Sequence, residues 1–316
     1  MLSRTADHIY WMARYLERAE NTARIVDINL KSLLLPHDDE RQRRTLRALL
    51  RSVELEPAFA AKHGEPAPAT VVAFLVADRD NPSSIVSCLR SARENARAVR
   101  GLLTTEWWET INHTWIECVE QLASDALAAD PHAFLEWVKS RVHLARGVSI
   151  GTAMRDDAYY FSRLGTFLER ADNIARMLDV RFLDIEQAAA DGSPDGIDEF
   201  YYWTSILTSV SGMEIYHKVY RDVVTPDRVA ELLLLNPAMP RSLRAAIDDF
   251  CMTLDKLKNG ASAECEREAG RLRAELHYAD IRKIRAQGLH AFLNESLERV
   301  YALGNMVSRT FMMSAS

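Results

Sequence analysis

A charged decapeptide occurs twice in this chain, as YLERAENTAR at residues 15–24 and as FLERADNIAR at residues 167–176. On a helical wheel of about 100° per residue, Ile9, Met12, Ala13, Leu16, Ala19, Ala23, Val26 and Leu30 form one apolar stripe through the first copy. Glu20 and Asp27 fall inside that stripe, Glu17 and Arg24 lie on its edge, and Arg18 and Asn21 point toward the polar side. The second copy repeats the pattern with Glu169, Arg170, Asp172, Asn173, Arg176 and Asp179. An unpaired carboxylate in a dry interior costs several kcal/mol. Any fold open to this chain must therefore bring cations to the same helix face twice. The i, i+4, i+7 spacing of Glu20, Arg24 and Asp27 predicts one guanidinium bridging two carboxylates along a single helix.

The register extends beyond the decapeptide. At a shift of 152, nine positions match between Arg4 and Asp27, from Ala6/Ala158 to Asp27/Asp179. Further on, LLRSV ending at Val53 faces ILTSV ending at Val210, and VVAFLVADRDNPSSI faces VAELLLLNPAMPRSL at a shift of 158. Two motifs in one order, at nearly constant separation, predict an internal duplication. With 12 glycines in 316 residues and apolar residues recurring at three- and four-residue steps, the units are helical. The expected architecture is all-α: one domain, 1–316, made of repeats 1–150 and 151–316 as an internally duplicated helical bundle with pseudo-twofold symmetry. Ala13, Ala23, Gly165 and Ala175 are small enough to let the two equivalent helices approach. Breaks are expected at LLPHDDE, KHGEPAPA, ADPHA, DGSPDG and NPAMP, and Ser3, Thr5 or Asp7 is available to cap the first helix.

The repeated charges admit three roles. They can form a structural ladder that fixes the register of two packed helices. They can line a shared cleft, with Arg18, Arg170 and the Asn21 and Asn173 amides holding a carboxylate- or amide-bearing ligand. Or Glu17 or Glu169 can serve as a general base, which requires a raised pKa and a reachable substrate.

One segment breaks the symmetry. In SSIVSCLRSARENARAVRGLL, Arg90, Arg93, Arg97 and Arg100 recur at helical spacing opposite Ile85, Leu89, Ala92, Ala96 and Val99. The second half has Asp248, Cys251, Asp255 and Lys258 at the matching places. A basic stripe present once is a candidate partner-binding face, with Glu94 and Asn95 beside it. A solvated or acid-paired face is the plain alternative.

Other chemistry lacks its signatures. A net charge of −6 and a pI near 5.9 give no field for a phosphate backbone, so nucleic acid is not an expected partner. Cys88, Cys118, Cys251 and Cys265 form no CxxC pair and are expected as reduced thiols. Without a signal-like start or a long apolar run, a cytoplasmic, membrane-free protein is expected. Glu214 and His217 make a single Glu-x-x-His pair, and His113 with Glu109 and Glu117 has no second His or Cys, so no metal is expected. No GxSxG elbow, P-loop or dinucleotide fingerprint is present, and no cofactor is expected. Trp107 and Trp108 are expected as core anchors.

Through MLSRTADHIYWMARYLERAENTARIVD, NPSSIVSCLRSARENARAVR and YYFSRLGTFLERADNIARMLDVR, the chain resembles the bacterial alpha-E family over essentially its whole length. The resemblance places the family's Glu-Arg motif at Glu17–Arg18 and Glu169–Arg170, and its Arg-Glu-Asn-Ala-Arg signature at Arg93 through Arg97. It assigns none of them a catalytic role. It implies a genomic setting beside circularly permuted ATP-grasp ligases and transglutaminase-like proteins, in systems that form or process peptide amide bonds. His217, in SGMEIYHKVYRD, stands where the family is expected to carry a basic residue. The functions implied are a non-catalytic helical partner that docks on the ligase or presents its amino-acid or peptide substrate, or else an enzyme of amide-bond chemistry using the Glu-Arg motifs. A self-associating scaffold, a homo-oligomer, is the third.

Overall fold

The computed structural model of the protein describes residues 1–32, 39–190 and 196–313. Among the described residues every regular element is helical. In chain order they are α1 (Ser3–Ser32), α2 (Asp39–Ser52), α3 (Glu56–His63), α4 (Pro68–Val76), α5 (Ile85–Ala98), α6 (Thr105–Ala123), α7 (Ala126–Ala129) and α8 (Pro131–Thr152). There follow α9 (Asp157–Ala190), α10 (Gly196–Ser209), α11 (Met213–Tyr220), α12 (Pro226–Leu235), α13 (Leu243–Leu257), α14 (Ala263–Tyr278), α15 (Ile281–Gln287) and α16 (Leu289–Val307). A 3-10 turn, Arg100–Leu102, follows α5, and a π-helical turn, Ser308–Met312, follows α16.

The all-α expectation holds, and local chemistry explains the boundaries. Breaks fall at KHGEPAPA, ADPHA and NPAMP, as Pro and Gly require. Those at LLPHDDE and DGSPDG lie largely outside the described residues. Ser84 caps α5 and Ser242 caps α13, each accepting a hydrogen bond from the amide three residues on. Asp130 caps α8, whose first residue is Pro131. The first helix differs from expectation: the Thr5 and Ala6 amides reach the Leu2 carbonyl, so Ser3, Thr5 and Asp7 all lie inside α1 rather than at its cap.

Helices α1 and α9 lie against one another at the centre. Helix α1 also packs on α5 and α8, and α9 on α13 and α16. The reciprocal contacts are present too, with α10 against α1 and α2 against α9. Outer pairs recur in the same manner, α5 with α6 and α6 with α8 in one half, α13 with α14 and α14 with α16 in the other. Even the backbone strain is matched, since Glu54 (φ 58°) and Ser211 (φ 53°), at a shift of 157, both sit in the left-handed region.

The central contact is close because of one glycine. A Cβ on Gly165 would collide with the Tyr10 carbonyl, so α1 and α9 can approach at this level only without a side chain there. Ala13, Ala23 and Ala175 are buried alongside. One apolar cluster runs through both halves, including Ile9, Met12 and Leu16 of α1, Leu164 and Leu168 of α9, Leu89 of α5, Phe250 of α13 and Leu293 of α16. Trp107 is buried in it and Trp108 packs on its edge. All four cysteines are free thiols.

Candidate functional site

The decapeptide carboxylates meet at the α1–α9 contact, and they are enclosed. Glu17 and Glu169 are each 1% exposed and Glu20 is 0% exposed. Each decapeptide's leading glutamate is held by the arginine of the other. Arg170 Nε lies 2.8 Å from Glu17 Oε1, and Arg18 Nε lies 2.6 Å from Glu169 Oε1. These are charge-assisted forks, the strong form of the arginine–carboxylate bond.

Around Glu17 and Glu20 further cations converge from three other places. Arg146 of α8 places Nη2 at 2.6 Å from Glu17 Oε2 and from Glu20 Oε2. Arg241, one residue before the α13 cap, reaches Glu20 and lies 3.3 Å from Glu17 Oε1. Arg24 bonds Glu20 within α1 at 2.9 Å and reaches Ser211 Oγ at 2.8 Å. His143 Nε2 is 2.9 Å from Glu20 Oε1 and 3.1 Å from Arg24 Nη2. A carboxylate only accepts, so the imidazole donates to Glu20 and does not also accept from Arg24. Burial pushes the Glu17 carboxyl up, but Arg170, Arg146 and Arg241 outweigh it and bring it down to about 2. Glu20 is likewise held well below the usual range, burial being overcome by His143, Arg241, Arg146 and Arg24. Arg241 is pulled down to about 10, by burial first and also by Arg170 and Arg24, despite Glu20 and Glu17.

The second cluster is built differently. Glu169 is held by Arg14 (2.7 Å) and Arg18, both from α1, and lies below the ordinary range because they outweigh its burial. Arg14 also bonds Tyr10 and stacks on Trp11. Asp172 has one guanidinium, that of Arg176 at 2.7 Å, and its carboxyl is raised, chiefly by burial and also by neighbouring Glu169. Arg176 bonds Glu54 and Tyr301 as well.

Sequence expectation is corrected at two points. Arg24 bonds Glu20 but does not bridge to Asp27, which instead takes Lys31 (3.1 Å), Lys139 (3.1 Å) and His132 (2.5 Å). Asp179 similarly takes His290 at 2.5 Å. Arg18 and Arg170 do not face a shared open cleft, because each is spent on a buried glutamate of the other helix. Of the two amides, Asn21 makes no hydrogen bond with another described residue, and Asn173 Nδ2 is buried without one. Arg14, Arg146, His143 and Arg241 escaped sequence reasoning. They lie outside the decapeptides, and the only signal was that Arg146 and Arg241 have no counterpart at the matching places, Gly304 and Ser83.

Asp27, His132 and Glu136 also bring ligand atoms within 4.8 Å of one another, a trio the sequence did not suggest. Lys139 Nζ already bonds both Asp27 and Glu136 (2.6 Å), and Lys31 Nζ bonds Asp27. Two ammonium groups thus hold the carboxylate lone pairs a metal ion would need, and the donor set suits an ion pair. His113, Glu214 and His217 are exposed.

The basic stripe on α5 divides into two kinds of residue. Arg93 bonds Asn112 (3.0 Å) and Glu94 (2.5 Å), Arg97 bonds Glu94 (2.8 Å), and Asn95 bonds His8 of α1 (2.8 Å). Arg90 and Arg100 are exposed and make no ion pair with a described residue. Arg90, Ser91, Glu94 and Asn95 face His8 and Tyr15 across a groove of about 420 Å³. Of the matching positions in and after α13, Asp248 bonds Arg273 (2.7 Å) and Cys251 the Ala269 carbonyl, while Asp255 and Lys258 are exposed and pair with each other at 2.8 Å.

Among the described residues no helix is long and apolar enough to cross a membrane. Uncharacterized proteins of Mycobacterium bovis and of two Mycobacterium tuberculosis strains are 23% identical to 95% of this chain. The chain spans about a third (35%) of the length of these curated relatives. No solved structure gives a significant match. Residues 1–312 match the family described as a predicted alpha-helical domain with a conserved ER motif, and the chain, whose two Glu-Arg pairs cross-link its central helices, belongs to this Alpha-E family.

Proposed function

We propose that this chain is a non-catalytic helical component of an ATP-grasp ligase system that forms or modifies peptide amide bonds, docking on the ligase or presenting its amino-acid or peptide substrate. The observation that carries the non-catalytic part is the state of the Glu-Arg motifs. Glu17 and Glu169 are 1% exposed and saturated by guanidiniums, which hold both carboxyls below their ordinary range, Glu17 at about 2. A general base needs a raised pKa and a reachable proton, and these carboxylates have neither. They act as a clasp between the two halves of the molecule. The cytoplasm, with its pool of ATP, is the compartment this role requires.

The clasp is the product of a duplication, with the halves 1–150 and 151–316 related by a pseudo-twofold axis. Reciprocal pairing of Glu17 with Arg170 and Glu169 with Arg18 supports this, as do the matched helix order, the paired N-caps and the twin left-handed residues. The α5 face, with its groove beside Arg90 and its unshared arginines, is the surface offered to a partner. The family resemblance supplies the class of partner, a circularly permuted ATP-grasp ligase or a transglutaminase-like protein. The relatives, in which the matched region is a third of a longer chain, suit a unit that works beside others.

Co-purification with the ATP-grasp ligase encoded beside it tests this. A complex that weakens when Arg90 and Arg100 are both changed to Glu is expected. No complex, together with no effect of this protein on ligase turnover, removes the proposal.

A further inference from the structure

The carboxylates of the first cluster are outnumbered. Among the described residues, Arg24, Arg146, Arg170 and Arg241 surround Glu17 and Glu20 alone, four cations for two anions. The second cluster is balanced, with Arg14, Arg18 and Arg176 for Glu169, Asp172 and Glu54. A surplus of positive charge in a largely enclosed site is unfavourable until an anion joins it.

The place where that surplus meets open space is specific. A cavity of about 30 Å³ lies among α1, α6, α8 and α9, lined by Glu17, Arg146 and Arg163 together with Leu16, Trp107 and Val142. Glu17 is fully occupied by guanidiniums. The hydroxyls of Ser149 and Ser162 donate to carbonyls of their own helices, at 2.7 Å each. Arg146 uses only Nη2 in its ion pairs, leaving Nε and Nη1 without a partner among the described residues. Arg163 makes no ion pair or hydrogen bond with any described residue. Its guanidinium is stacked 4.4 Å from the Phe167 ring centroid, and Asp249, whose charge reaches both it and Arg170, does not bond it. The cavity therefore presents N–H donors from two cations and no spare anionic acceptor.

We infer that this cavity is a binding site for a carboxylate group, its oxygens held between Arg146 and Arg163. A water needs roughly 10–15 Å³ by this measure, so the enclosed space admits about the two oxygens of a carboxylate, and the rest of the ligand lies outside it. Guanidinium forks match carboxylate geometry. The site deepens the substrate-presenting part of the proposed function, since amino acids and peptides carry this group, yet it does not depend on the ligase.

Titration of the full chain with sodium acetate, followed by calorimetry against sodium chloride at matched ionic strength, tests it. Saturable acetate binding with chloride much weaker is expected. Arg163→Met, which keeps the stem over Phe167, should weaken acetate by about tenfold or more while the urea midpoint stays in place. Should that variant fold poorly, Arg163→Lys carries the test, since it keeps the charge and loses the fork, and a severalfold weakening is expected. Equal responses to acetate and chloride, no saturable response, or wild-type acetate affinity in the folded Arg163 variants would each overturn the inference. A ligase complex without acetate binding sinks this site alone, and acetate binding without a complex sinks the partner alone.

Discussion

The two Glu-Arg clusters come from nearly the same decapeptide, yet one is electrically balanced and the other is not. Two positions account for the difference. Where the second cluster has Glu54 against Arg176, the first has Ser211 against Arg24. Where the first has Arg241 over Glu20, the second has Ser83. A third exchange is neutral: Arg146 faces Glu17 from α8, Gly304 stands at the matching place in α16, and Arg14 of α1 supplies the missing cation to Glu169. The lesson is that one helix pair can be cross-braced twice by the same motif while its charge is set separately, by single residues on the surrounding elements.

The comparison is broken most severely by removing a leading glutamate. Glu17→Gln deprives three guanidiniums of a partner and enlarges the surplus, so a loss of about 3–5 kcal/mol in urea unfolding is expected. Glu169→Gln deprives two and should sit at the lower end of that range. Equal or reversed losses would mean that charge balance does not distinguish the clusters. Gly165→Ala, which drives a methyl into the Tyr10 carbonyl, is expected to cost about 1–3 kcal/mol. A variant as stable as the wild type would show that α1 and α9 are not in close contact there.

Acid titration separates the clusters by sign. Glu17, Glu20 and Glu169 have folded pKa values below their unfolded ones. Their contribution is complete above about pH 4.3, the unfolded value, and is lost as pH falls toward the about 2 of Glu17. Asp172 is raised instead, so it regains stability as pH falls through its folded value. Glu17→Gln should therefore lose less stability than the wild type across that acid window, whereas Asp172→Asn should forgo the gain the wild type makes at higher pH, between the raised folded value of Asp172 and its unfolded value of about 3.9. Unfolding midpoints measured from neutral pH down through both ranges check both signs.

The smallest effects sharpen the comparison. Ser211→Glu copies Glu54 into the first cluster and should gain up to about 1 kcal/mol, and Glu54→Ser should lose a similar amount. In Ser211→Glu, acetate binding should also weaken, because the added carboxylate offsets part of the surplus. Arg97→Ala, an exposed partner of Glu94, should change stability by less than about 0.5 kcal/mol.

Much of this was legible before any coordinates. The three- and four-residue apolar rhythm with few glycines dictates helices, and the wheel places Glu20 and Asp27 inward because a helix cannot turn a single residue away from its stripe. The cations that answer those carboxylates were not legible. Arg146 and Arg241 come from 129 and 224 residues away from Glu17, and no local spacing rule reaches that far. For the same reason the expected Arg24 bridge to Asp27 failed: Lys31, Lys139 and His132 were nearer competitors, two of them from another helix.

The central claim is that the Glu-Arg motif is a buried cross-brace between the halves. A double-mutant cycle on Glu17→Gln and Arg170→Gln, read by urea unfolding, tests it most directly. A coupling energy of about 2 kcal/mol is predicted for groups bonded at 2.8 Å in an enclosed site. Additive losses, with a coupling near zero, would contradict it.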